Sequence, residues 1–103
     1  MKLTSFLQDG KLTVALTGEI DHHCAKRYIE MIGAKIEAYT PQICVLDFQD
    51  VTFMDSSGIG VILGRYRILA SRGGSVAVRG MNRQVARVFQ LSGMGQIIEV
   101  MKG

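Results

Sequence analysis

The segment "FMDSSGIGVILGRYR", residues 53–67, opens as a polar turn and becomes a helix carrying three glycines. With 100° between successive residues, its faces separate. Ile59, Ile62, Leu63, Tyr66 and Leu69 share the expected core side. Ser57, Gly60, Val61, Gly64, Arg67 and Ile68 fall on or near the other side, with Ser56 at the N-terminal end. A glycine inside an exposed helix costs about 1 kcal/mol relative to alanine, so something must offset that cost. One reading packs a neighbouring loop of the same chain onto Gly60 and Gly64. The other brings a partner's backbone to this face, with Val61 and Ile68 as apolar contacts. The cluster Asp55, Ser56 and Ser57 has two readings of its own. Any of the three side chains can cap the helix. A helix N-terminus also offers free N–H groups and a positive dipole end, so it tolerates a phosphate carried on a serine.

The rest of the chain supplies the frame for that helix. Residues 3–7 and 11–17 read as two strands joined by the hairpin signal "QDG", in which Gly10 can take a positive φ. Asp21 is the expected N-cap of a first helix, where Ala25, Tyr28, Ile29, Ile32 and Ile36 recur at helical spacing. Pro41 stops that helix near Thr40. "ICVLDF" (43–48) reads as a strand buried on both faces. The glycine helix, expected over 57–71, ends at "RGG". "SVAVRG" is a further strand, and Asn82 caps a third helix with Val85, Val88 and Phe89 facing inward. That helix ends at "SGMG", and "QIIEVM" adds a short last strand. The order ββαβαβαβ predicts an α/β fold with one mixed sheet of four to five strands, in a single domain over 1–103.

Composition narrows the function. The chain has 103 residues, 48% hydrophobic and 20% charged, with a net charge of +3. That is the composition of a globular domain, and it permits an acidic partner without demanding nucleic acid. No apolar run approaches the ~20 residues of a membrane span, and "MKLTSFLQDG" lacks the apolar core of a signal peptide. Cys24 and Cys44 form no CxxC pair and read as free thiols of a cytoplasmic protein.

Several chemistries are set aside on residue pattern. No GxSxG elbow surrounds the serines. His22 and His23, adjacent on an expected helix, diverge, which disfavours a His-His-Cys metal cluster. Gly58, Gly60 and Gly64 form GxGxxxG within helical periodicity, not a dinucleotide-binding GxGxxG. Arg79, Arg83 and Arg87 have few aromatics among them and read as a solvated face. Neither metal nor cofactor is expected, and no catalytic residue is assigned.

"TGEIDHH" (17–23), "FMDSSGIGVILGRYR" (53–67) and "LSGMGQII" (91–98) together resemble the anti-sigma factor antagonists of the STAS domain family, nearest to the sporulation members that act on sigma factor F. The likeness runs along nearly the whole chain. It implies a STAS-like domain, with helices mainly on one face of the sheet, that switches partners and is not an enzyme. The implied partner is an anti-sigma factor with ATP-dependent serine kinase activity. That kinase would phosphorylate the first serine of "DSSG", here Ser56, and a PP2C-type phosphatase would reverse the step. The implied partner surface comprises Asp21, His22, His23, Asp55, Ser57, Gly58, Gly60, Val61, Gly64, Arg67 and Ile68. Neither nucleic acid nor membrane is an expected partner, and the free chain is expected to be a monomer. A stress-response or other signalling antagonist of the same family is the alternative. Relatives often continue past the position of "IIEVM" into a further helical segment, so contacts of such a segment are not carried over.

Overall fold

A computed structural model describes residues 3–102; the ends of the expected domain, residues 1, 2 and 103, lie outside the described residues. Five strands form one mixed sheet in the sequential order β1 (Leu3–Gln8), β2 (Lys11–Ile20), β3 (Ile43–Met54), β4 (Ser75–Arg79) and β5 (Glu99–Met101). β1 and β2 pair antiparallel, and every later pairing is parallel. Helices α1 (Ala25–Tyr39), α2 (Ser57–Ser71) and α3 (Arg83–Leu91) make the crossovers. Right-handed crossovers that always step in one direction place all three helices on one face. One core results, in which Leu12, Leu16, Leu46 and Val78 from the sheet meet Tyr28, Ile32, Ile62 and Phe89 from the helices. The opposite face carries the half-buried Thr13, Ala15, Asp47 and Arg79, the last two joined in an ion pair at 3.2 Å.

The expected elements are all present; two are longer than periodicity suggests, and the last strand is shorter than "QIIEVM", because Met94–Gln96 form a 3-10 turn and only Glu99–Met101 pair with β4. The β1–β2 turn does use Gly10 at φ 77°, and Asp9 joins it at φ 53°, the two positive values of a type I′ hairpin. β2 continues to Ile20 and β3 to Met54, so Phe53 and Met54 belong to a strand and not to a turn. The buried residues Phe48, Val51 and Met54 are spaced by three, because the β2–β3 register shifts between Ala15 and Thr17 and again between Gly18 and Glu19. Such irregularities erase the period of two by which a strand is read. Tyr28 ties α1 to the first shift: its hydroxyl donates to the Thr17 carbonyl at 2.6 Å and accepts from the Thr17 N–H at 3.3 Å. Burial on both faces of β3 holds for Cys44, Val45 and Leu46 but not for Ile43, which is 39% exposed.

The orientation of α2 also differs from the helical-wheel expectation. Its buried stripe is Gly58, Val61, Ile62, Arg65 and Leu69, while Ile59, Leu63 and Tyr66 are half-buried at its margin. Arg65 is the cause. It stands in the middle of the stripe with only 8% of its surface exposed, a position that a polarity-based wheel gives to solvent. Nη1 of Arg65 donates to the Ile29 carbonyl of α1, and a Cβ on Gly33 would lie 3.3 Å from that nitrogen. Nε of Arg65 is buried without a partner. The glycine in α1 thus makes room for an arginine wedged between the two helices.

Beneath the helices, burial pushes the Cys44 thiol from 9.0 up to about 12, with the Arg65 charge opposing the shift. The thiol is therefore protonated and unreactive at neutral pH. A folded pKa above the unfolded one means that the unfolded chain loses this proton first as pH rises. The associated stability is complete below about pH 9 and declines toward pH 12, by about 1.4 kcal/mol per pH unit at most. Urea unfolding of the parent and of Cys44→Ala at pH 7 and pH 10.5 should show a smaller alkaline loss in the variant.

Candidate functional site

Parallel pairing of β2 with β3 carries two sequence motifs to the same edge of the sheet. The register joins Ile20 to Met54, and the Asp55 N–H then donates to the Ile20 carbonyl at 3.1 Å. The turn that begins at Asp21 therefore lies beside the Asp55–Ser56–Ser57 corner, at the C-terminal ends of both strands. Such an edge is where α/β sheets place their sites, because chains diverge there into successive helices.

Asp21 does not cap α1 directly, since that helix begins four residues later. Its carboxylate accepts from the N–H groups of His23 at 3.0 Å and Cys24 at 3.3 Å, closing a tight turn ahead of the helix. Partial desolvation pushes the Asp21 carboxyl up, but the His23 N–H, the Cys24 thiol and the Cys24 N–H outweigh it and hold it below its usual value. His22 and His23 sit in this turn, exposed, with ring centroids 3.9 Å apart and planes tilted by 38°. The expectation that they diverge on a helix is corrected: a turn lets adjacent rings meet. Among the described residues no three His, Cys, Asp or Glu side chains gather as a metal site.

At the second motif, Asp55 is the capping residue. Its carboxylate accepts from the Ser57 N–H at 2.8 Å, and its carbonyl accepts from Gly58 N–H at 3.0 Å. Ser56 occupies the N-cap position in helical geometry and makes no side-chain capping bond. The residue is exposed. The Ile59 N–H donates to the Ser56 carbonyl at 3.1 Å, so three N–H groups of the first turn already have partners. A phosphate here would gain the helix dipole without needing those donors, which revises the expectation of free N–H groups.

Two surfaces flank Ser56. On one side, Ser56 and Ile59 of α2 face Val88, Leu91 and Ser92 across a shallow groove of about 440 Å³. Leu91 is 78% exposed. This groove was not legible in the sequence, because it forms between two helices whose spacing only the fold sets. On the other side, a Cβ on Gly60 or Gly64 would meet nothing within 4 Å. Among the described residues no loop packs there, so the intramolecular account of those glycines finds no support. Arg67 is exposed on the same side.

Two expected surface residues, Val61 and Gly58, do not lie there, and a third, Ile68, does so only in part. Val61 is 1% exposed and part of the core, because the Arg65-centred stripe turns the helix. Ile68 is half-buried and packs one side against the core, so only part of it reaches this face. Gly58 is buried, and a Cβ there would stand 2.3 Å from the Met54 side chain; this glycine serves close packing of helix on strand. Asp21, His22, His23, Asp55, Ser57, Gly60, Gly64 and Arg67 remain at least partly accessible around Ser56.

With this geometry, residues 6–102 match the STAS domain model. The chain belongs to the STAS domain family, in its group of anti-sigma factor antagonists. It is 38% identical to the anti-sigma F factor antagonist of Paenibacillus polymyxa over 88% of this chain and 78% of that one. It is 29% identical to the anti-sigma-B factor antagonist of Bacillus subtilis strain 168, over 89% and 83% of the two chains. A solved structure of the anti-sigma factor antagonist SpoIIAA in its unphosphorylated form is similar with a TM-score of 0.82, at 29% identity, covering 97% of this chain and 88% of that one. No helix among the described residues is long and apolar enough to cross a membrane.

The division of labour between Asp55 and Ser56 has a measurable consequence. Asp55→Ala should cost about 1 kcal/mol of stability, as loss of a helix cap does. Ser56→Ala should stay within about 0.5 kcal/mol of the parent. Urea unfolding monitored by circular dichroism separates the two; equal losses would return the capping role to Ser56.

Proposed function

We propose that this chain is an anti-anti-sigma factor of the cytoplasm, acting by partner exchange and not by catalysis. Its unphosphorylated form binds an anti-sigma factor that is also a serine kinase, which frees the sigma factor. The kinase then transfers the γ-phosphoryl group of ATP to the Ser56 oxygen; the hydroxyl proton is lost and ADP leaves. ATP belongs to the kinase, and this chain carries no cofactor. A PP2C-type phosphatase returns the serine by hydrolysis. The free chain is a monomer in this reading, with no direct role for nucleic acid or membrane.

One observation carries the proposal. Ser56 stands exposed at a helix N-terminus, relieved of capping by Asp55, between an apolar groove and an open glycine face. A phosphate there adds about −1.5 to −2 charge without taking a bond away from the fold. The helix dipole favours the anion in the free protein, while repulsion and desolvation oppose it at an interface. Binding is lost and the fold is kept. Sigma factor F is the preferred target, because the 38%-identical relative is an anti-sigma F factor antagonist. The sigma-B antagonist at 29% identity supports a stress-response partner as the second reading.

The test uses the anti-sigma F factor of P. polymyxa and, in parallel, the anti-sigma-B factor of B. subtilis, each with ATP. Phosphate should map to Ser56 by mass spectrometry, and the modified chain should bind at least tenfold more weakly with an unchanged circular dichroism spectrum. Ser56→Ala should bind and resist modification. Gly64→Leu should fold and fail to bind. Phosphate confined to Ser57, or equal binding by modified and unmodified chains, overturns the reading.

A further inference from the structure

β3 outruns its neighbour. Its pairing with β4 ends at Asp47 and Arg79, whereas its pairing with β2 continues to Met54. Past Asp47, one edge of β3 has no strand beside it, and unpaired backbone groups at a half-buried edge are costly. The start of α3 fills that place with side chains. Asn82 Nδ2 donates to the carbonyls of Val51 at 3.2 Å and Thr52 at 3.3 Å. Its Oδ1 meanwhile accepts from the Val85 N–H at 2.9 Å and caps α3. Gln84 completes the substitute strand: its Oε1 accepts from the Met54 N–H at 3.0 Å, and its Nε2 donates to the Met54 carbonyl at 2.8 Å.

A primary amide has the donor and acceptor of a peptide group, so Gln84 reproduces the two-bond pairing that a neighbouring strand would give Met54. On the opposite edge, the next residue, Asp55, is bonded through its N–H to the Ile20 carbonyl. The backbone is thus held from both sides in the two residues before Ser56. We infer that Gln84 is a positioning residue for Ser56: its amide clamps Met54 and fixes the direction in which the switch serine leaves the sheet. This rests on the reading of Ser56 as the phosphorylated residue.

The clamp acts on alignment more than on docking. Gln84 lines neither the groove nor the glycine face, so cutting the clamp removes no group from either surface. Phosphoryl transfer, in contrast, depends on the serine oxygen being held in line with the phosphate, and small misplacements lower the rate. No other residue type supplies both bonds at this length. Glutamate keeps the acceptor and loses the donor when ionised, asparagine is one methylene shorter, and methionine keeps the shape with neither bond.

Two variants and two readouts test this, with the anti-sigma F factor of P. polymyxa and ATP as the kinase. In Gln84→Met, amide exchange at Met54 should quicken about tenfold, as loss of a backbone partner implies, while Leu46 in the middle of β3 is unchanged. Its kcat as a kinase substrate should fall about tenfold, with KM within about twofold. Gln84→Glu should keep Met54 exchange closer to the parent and give an intermediate kcat. Unchanged exchange at Met54 in Gln84→Met overturns the clamp. Faster exchange with an unchanged kcat overturns its positioning role. Failure of the parent itself to accept phosphate at Ser56 would instead sink the phosphorylation reading, and with it the role of the clamp in the switch, while Met54 exchange would still decide whether the clamp exists.

Discussion

The parallel ladder between β2 and β3, carried beyond the end of β4, is the constraint from which the site follows. Ile20 and Met54 are buried at its far end, so hydrophobic burial holds the two strands together where β3 has run past β4. The same burial fixes where each chain leaves the sheet. One strand exits into the Asp21 turn, the other into the Asp55–Ser56 corner, and a backbone bond from Asp55 to Ile20 joins the exits. Neither motif could hold its place beside the other without that pairing.

Irregular pairing and the extension of β3 past β4 give backbone groups to satisfy, and side chains take part in doing so. Tyr28 bonds both backbone groups of Thr17 at a register shift. Asn82 and Gln84 do similar work along the free edge of β3. Each of these side chains belongs to a helix that packs on the sheet, so polar satisfaction and helix docking reinforce one another. Arg65 follows the same logic between helices, where Gly33 makes room and the Ile29 carbonyl receives its guanidinium.

The glycines of α2 separate into two kinds under this geometry. Gly58 is required by packing, since Met54 leaves no room for a Cβ. Gly60 and Gly64 face open space, and nothing among the described residues accounts for them. Their cost to the helix falls on the side of Ser56 away from the apolar groove. A surface with bare backbone on one flank and apolar side chains on the other suits an interface that one charged group can close, because a phosphate at its centre must be desolvated on contact.

The sequence by itself determined the order of elements, the hairpin at Asp9–Gly10, the stop at Thr40–Pro41 and the cap at Asn82. These depend on neighbours within a few residues, where φ preferences and side-chain bonds act alone. It also marked the Asp55–Ser56–Ser57 cluster and the cost of the α2 glycines. Only the tertiary structure decided which way α2 faces, because a buried Arg65 inverts the polarity on which a helical wheel relies. Val61 moved from surface to core for that reason, and Ile68 became half-buried against it. The length of β2 and β3 was hidden as well, since register shifts put Phe48, Val51 and Met54 at a spacing of three. The capping role of Asp55, the groove at Leu91 and the amide of Gln84 on Met54 are contacts whose geometry is fixed by packing of the whole sheet. A residue 30 positions away in the chain becomes the neighbour of Met54 only after the sheet and its helices have closed around one core.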